Sequence, residues 1–96
     1  MNFRSRSLLN LAHKLNRCTR CGHYVPEGLE PAHSDSSRHG KGMGIKAHDH
    51  LHAAICHDCH EALPRMSREE RESEWQRAHE VTMTEYWKRG WLKVAA

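Results

Sequence analysis

Cys18-Thr-Arg-Cys21 and Cys56-His-Asp-Cys59-His60 bracket the centre of this 96-residue chain, and how they are read decides the fold. Two CxxC pairs separated by residues 22–55 are the usual ligand set of one structural zinc ion, which takes four thiolates tetrahedrally. His60, directly after the last cysteine, is surplus to that set and points to a second, reactive site beside the structural one. Inside the bracket lie Pro31-Ala-His33, a glycine-containing loop and most of the histidines. Seven of the ten fall from His33 to His60.

A chain of this length reads as one small domain over residues 1–96, with a modest 38% hydrophobic content. Scaffolds this small need a staple, either disulfides or a metal. Met1-Asn-Phe-Arg-Ser-Arg6 lacks the apolar run of a secretory signal, and no stretch approaches the roughly 20 apolar residues of a membrane span. The expectation is a reduced, cytoplasmic setting, zinc rather than two disulfides, and no membrane partner.

The net charge of +3 is mild but unevenly spread. Residues 1–26 carry Arg4, Arg6, Lys14, Arg17 and Arg20, and the first acid is Glu27. The last third mixes basic residues with glutamates and reads as a solvated helix. A positive N-terminal field suits phosphates, so contact with nucleic acid is expected, although such a patch also serves solubility.

Taken in order, Ser7 to Leu15 reads as a basic N-terminal helix within residues 1–17. Ser7 is its N-cap, and Leu8, Leu11, Ala12 and Leu15 share one face. Residues 18–63 read as a zinc knuckle, two strands and a short helix. The strands are Leu29 to Asp35, at an edge because of Pro31, and a second in which His48, His50 and His52 alternate onto one face. The short helix runs from Cys56 to Leu63 and is ended by Pro64. Ser67-Arg-Glu-Glu70 is a capping box that starts a long helix within residues 67–90. Trp75, Ala78, Thr82 and Tyr86, with Met83 and Trp87 adjoining, form its packing stripe, and Gly90 closes it. The fold class is therefore α+β, a treble-clef zinc module flanked by two helices.

With those motifs in place, Pro31-Ala-His33, the glycine-containing loop and Cys56-x-x-Cys59-His60 resemble the signature of the HNH (ββα-metal) nuclease superfamily. The chain is similar, over roughly residues 4–92, to the small YbcO-like nucleases of prophages. The resemblance implies an endonuclease hydrolysing DNA phosphodiester bonds. His33 would be the general base that deprotonates water, since imidazole exchanges protons near neutral pH. His60 would bind a divalent ion such as Mg²⁺ or Mn²⁺ at the scissile phosphate, separate from the structural zinc on Cys18, Cys21, Cys56 and Cys59.

Two positions depart from the HNH pattern. Ala32 stands where many of these enzymes carry an acidic ligand, and Ala47-His-Asp-His50 lacks the central asparagine. Asp49 is then the first choice as second ligand of the catalytic ion, with His48, His50 and Asp35 behind it. It could instead orient the base. The basic residues expected on DNA are Arg4, Arg6, Arg17, Arg20, Arg38, Lys41 and Lys46. Each functional reading has a plainer rival: His33 hydrogen-bonded within the zinc module, His60 supporting the zinc, Asp49 capping a backbone amide. The rival function is a non-catalytic zinc finger that binds DNA or a protein.

Overall fold

A computed structural model describes residues 2–36, 39–42 and 47–92. Helix α1 spans Arg6–Asn10 and continues as a 3₁₀ turn over Leu11–Lys14. Strands β1 (Glu30–His33) and β2 (His52–Ile55) pair antiparallel, with Glu30 opposite Ile55 and His33 opposite His52. Helix α2 (His57–Ala62) follows directly, and helix α3 (Arg68–Lys88) closes the fold. The architecture is α+β, with the four cysteines packed between the hairpin and the helices. Among the described residues no helix is long and apolar enough to cross a membrane.

The elements share one core. Ala12 and Leu15 from the N-terminal segment, Leu29 and Ala32, the apolar run Ala53-Ala-Ile55, and Trp75, Ala78 and Tyr86 of α3 all bury together. Strand β2 is buried along its whole length because β1 covers one edge and α3 lies across it. Thr82 ties the two layers. Its hydroxyl accepts from the Ala54 N–H at 2.9 Å and donates to the Ala78 carbonyl at 2.7 Å, so neither the hydroxyl nor that N–H is stranded where sheet meets helix. Trp75 does the same for β1, donating its indole N–H to the Ala32 carbonyl at 2.9 Å.

Several sequence expectations need correction. The cap of α1 is Ser5, whose hydroxyl accepts from the Leu8 N–H, and not Ser7. Capping two residues earlier leaves the segment from Leu11 onward to tighten into 3₁₀ geometry. The short helix holds as expected between its caps Cys56 and Leu63, with Pro64 in the 3₁₀ turn Leu63–Arg65 that follows, where a missing N–H costs nothing. The histidine alternation is not a strand face: Asp49 and His50 form a turn, and β2 begins only at His52. Trp87, expected beside the packing stripe, is 57% exposed. In contrast, Trp75, Ala78, Thr82 and Tyr86 are all buried, and Ser67 caps α3 by accepting from the Glu70 N–H.

Gly28 sets the approach of the N-terminal segment to β1. Its φ of +101° is a conformation that side chains disfavour, and a Cβ there would be driven into the His13 carbonyl. Gly28→Ala should therefore cost at least about 2 kcal/mol, since backbone cannot yield as a flexible side chain can. Thermal unfolding should show a Tm lowered by roughly 10 °C, and an unchanged Tm would mean the two segments do not approach this way.

Candidate functional site: a cysteine cluster and two carboxylate-held histidines

The knuckle is built by local geometry. The Cys18 N–H donates to the His23 carbonyl, the Gly22 N–H donates back to the Cys18 carbonyl, and Arg17 bridges to Tyr24. Gly22, at φ +79°, makes the turn that returns Cys21 beside Cys18. The second pair needs no turn of its own: Cys56 caps α2 and Cys59 lies one helical turn on. The sulfurs of Cys18 and Cys59 stand 3.8 Å apart, as do those of Cys21 and Cys56, and all four lie within 4.8 Å of one another. Four sulfurs each about 2.3 Å from a central zinc would be spaced about 3.8 Å apart, whereas a disulfide needs about 2.05 Å. The donor set therefore fits a tetrahedral structural zinc.

Backbone N–H groups already point at this cluster. Those of Arg20, Cys21 and Cys56 approach the Cys18 sulfur at 3.3–3.4 Å. Burial alone would push the Cys18 thiol up, but these donors outweigh it and lower it to about 7. Burial pushes Cys59 up to about 12, against the pull of the Arg20 guanidinium, which donates to its sulfur at 3.2 Å. A bound cation deprotonates such thiols outright. Arg20, expected on DNA, thus faces the cysteine cluster and also pairs with Glu74 at 3.3 Å.

His33 lies on β1, and His60 follows Cys59 on α2. His33 Nε2 and Asp49 Oδ1 are 2.8 Å apart. An ionised carboxylate only accepts, so Nε2 carries the hydrogen, and in the neutral ring Nδ1 holds the lone pair. Asp49 is well held: its other oxygen accepts from the Ser5 N–H at 2.6 Å, and Arg4 reaches Oδ1 at 3.3 Å. Burial works to raise the Asp49 carboxyl, but the His33 and Ser5 hydrogen bonds, with the charge of Arg4, hold it below its ordinary range. Behind Asp49 a second chain of bonds reaches the core. His52 Nδ1–H donates to the Asp49 carbonyl at 2.7 Å, which leaves Nε2 to accept from the Tyr86 hydroxyl at 3.0 Å. Both groups are buried, and burial lowers the His52 pKa, keeping the imidazole neutral as this pattern requires.

Tyr86→Phe removes the one donor to His52 Nε2 and leaves that nitrogen unsatisfied in the interior. A loss of about 1–3 kcal/mol in unfolding free energy is expected, measurable by denaturant titration. A neutral result would show that His52 finds its partner elsewhere.

His60 is also held by a carboxylate, that of Glu30 on β1. Its Nδ1 donates to Glu30 Oε1 at 2.8 Å, and His57 takes the other oxygen of Glu30 at 3.0 Å. The His60 bond is the main reason the Glu30 carboxyl sits below its ordinary range. Nε2 of His60 carries no hydrogen bond among the described residues. An imidazole with one nitrogen donated to a carboxylate and the other open is the usual state of a metal-binding histidine. Glu30 was not singled out from the sequence, nor was His52. A glutamate three residues before His33 was the available signal, but its partner depends on where α2 crosses β1.

His33 and His60 line one recess of about 550 Å³, formed by β1 and the residues after it, the end of α2 and the first turns of α3. Asp49 does not join His60: it lies against His33, and the cysteines are the only set of three or more candidate ligands gathered within 4.8 Å among the described residues. Of the earlier alternatives, Asp35 pairs with Arg71 at 3.0 Å, His48 Nδ1 accepts from the Phe3 N–H, and His50 stacks on His48. Among the basic residues, Arg4 approaches the His33–Asp49 pair, and Arg6 is exposed on α1. Arg17 and Arg20 border a separate recess beside the knuckle. Lys41 is half-buried, and the expectations for Arg38 and Lys46 lie outside the described residues.

No family model, no curated protein and no solved structure matches the chain.

Proposed function

We propose that this chain is a metal-dependent endonuclease of the HNH type, hydrolysing DNA phosphodiester bonds at the recess between β1 and α2. One observation carries this reading. A strand histidine and a helix histidine line the same recess, and each has one ring nitrogen fixed by a carboxylate and the other left open. A binding module has no need of that pairing, whereas general-base hydrolysis does.

In this reading His33 Nδ1 takes a proton from a water molecule as its oxygen attacks phosphorus, while the bond from phosphorus to the leaving 3′ oxygen breaks in line. Asp49 holds the imidazole in the tautomer with Nδ1 open and stabilises the positive ring once it is protonated. His60 Nε2, aimed by Glu30, would hold a divalent ion, which would supply charge stabilisation to the phosphate and the leaving oxygen. With Asp49 engaged by His33, its role is to orient the base rather than to ligate. Imidazole ligation favours Mn²⁺, Ni²⁺ or Zn²⁺ over Mg²⁺. The structural zinc fixes the first turn of α2 and so the position of His60, which a core this small could not do alone.

Plasmid nicking by the zinc-loaded protein with added Mn²⁺ tests the proposal. His60→Ala should abolish Mn²⁺-dependent nicking while zinc content stays at one per chain. Nicking that is equal in wild type and variant would overturn the reading and leave a zinc module that binds DNA or a protein.

A further inference from the structure

The four sulfurs of the cysteine cluster are not alike. Cys18 accepts three backbone N–H groups, Cys59 accepts the Arg20 guanidinium, and Cys56 accepts the Cys59 N–H at 3.5 Å. Cys21 accepts no N–H among the described residues. It is also the one exposed cysteine, the other three being buried. Its surroundings are open: it lines the recess beside the knuckle, a space of about 580 Å³ bordered by Arg17 and Arg89. A hydrogen bond to a thiolate draws charge off the sulfur, and burial keeps reagents away from it. Both differences concentrate reactivity at Cys21. A second sulfur is within reach, since that of Cys56 stands 3.8 Å away and carries fewer N–H bonds than Cys18 does.

We propose that Cys21 is an oxidation site, attacked by a hydroperoxide, and that Cys56 then closes a disulfide onto it and opens the zinc clasp. The inference needs the zinc cluster and is independent of the nuclease reading. In the first step the Cys21 thiolate attacks one peroxide oxygen. The S–O bond forms, the O–O bond breaks, and with hydrogen peroxide the leaving oxygen departs as hydroxide and takes a solvent proton to become water. Cys21 is then a sulfenic acid. In the second step the Cys56 thiolate attacks the Cys21 sulfur, so that the S–S bond forms, the S–O bond breaks and a second hydroxide leaves as water. The two sulfurs have together lost two electrons, and the peroxide has gained them. Two of the four zinc ligands are thereby spent, and Cys18 and Cys59 alone do not make a closed tetrahedral site. The disulfide joins the knuckle to the cap of α2, so one covalent link replaces the metal at that junction until a thiol reductant and zinc restore it.

Two measurements on the full zinc-loaded chain test this, and neither uses DNA, so their failure leaves the nuclease reading untouched. In the first, limiting iodoacetamide is added to the native protein and the labelled cysteines are located by peptide mass spectrometry. Cys21 should be alkylated first, faster than any other cysteine by about tenfold, the worth in a rate of about one hydrogen bond to the nucleophile. In the second, hydrogen peroxide is added, zinc release is followed with a colorimetric indicator, and the disulfides are mapped at early times. Zinc should leave in step with formation of the Cys21–Cys56 bond. Cys21→His keeps a zinc donor at this position without the oxidisable sulfur, and it should release zinc at least about tenfold more slowly. Should Cys21→His fail to load zinc, the two maps of the wild-type chain decide alone. Even labelling of the four cysteines, an early disulfide between any other pair, or release from Cys21→His at the wild-type rate overturns the inference.

Discussion

Stripping zinc from the protein with a strong chelator should unfold it, with loss of the cooperative thermal transition and most helical circular dichroism. Structural zinc sites contribute about 10–16 kcal/mol of apparent binding free energy near neutral pH, against the about 5–15 kcal/mol by which whole domains are stable. Here that energy is concentrated at a junction. Cys18 and Cys21 come from the knuckle, Cys56 and Cys59 from the start of α2, and the Thr19 hydroxyl and N–H both donate to the Ala54 carbonyl beside them. Without the metal, several buried thiols face one another across that junction, with burial driving Cys59 far from ionisation. Elemental analysis should give one zinc per chain, and re-adding zinc should restore the transition. Cys59→Ser should behave as the stripped protein does, because a hydroxyl is a poor zinc ligand and Arg20 would lose the thiolate it donates to. A transition unmoved by chelation would show that the four cysteines do not hold a structural ion.

The parts of this molecule that could be read in advance are those whose partners lie close in the chain. Each CxxC pair brings its two sulfurs together by local geometry, and the stripe Trp75, Ala78, Thr82, Tyr86 follows from the helical repeat alone. The packing of Ala12 and Leu15 followed from the same periodicity. The pairings at the histidines depend instead on register and crossing. His33 lies opposite His52, which brings the turn at Asp49 back onto His33, and nothing in the spacing of residues 33 and 49 specifies that contact. Glu30 meets His60 because α2 starts one residue after β2 and folds back along β1. The alternating histidines misled for a related reason. A period of two marks a strand when apolar groups alternate, since burial enforces the pattern, but a run of polar side chains is equally content in a turn.

His33→Ala should reduce nicking by about 10²–10⁴-fold, the usual worth of a positioned general base, with zinc content unchanged, and losing its bond to the buried Asp49 carboxylate should also cost about 1–3 kcal/mol of stability. Asp49→Asn should cost less, on the order of 10²-fold, because it misorients the imidazole and removes the charge that stabilises its protonated form. The hydrogen bonds from His33 and Ser5 hold the Asp49 carboxyl below its ordinary range, so it stays ionised from about pH 5 to 9 and its titration does not enter the rate profile there. The decisive measurement is the double variant. If Asp49 acts only through His33, removing it after His33 is gone costs nothing further, and the double variant matches His33→Ala. If Asp49 instead ligates the catalytic ion, the two losses multiply, and raising the Mn²⁺ concentration should recover part of the activity of Asp49→Asn. The 2.8 Å contact to His33, together with the Ser5 N–H on the other oxygen, leaves the carboxylate little freedom to turn toward a metal, and the first outcome is the one expected.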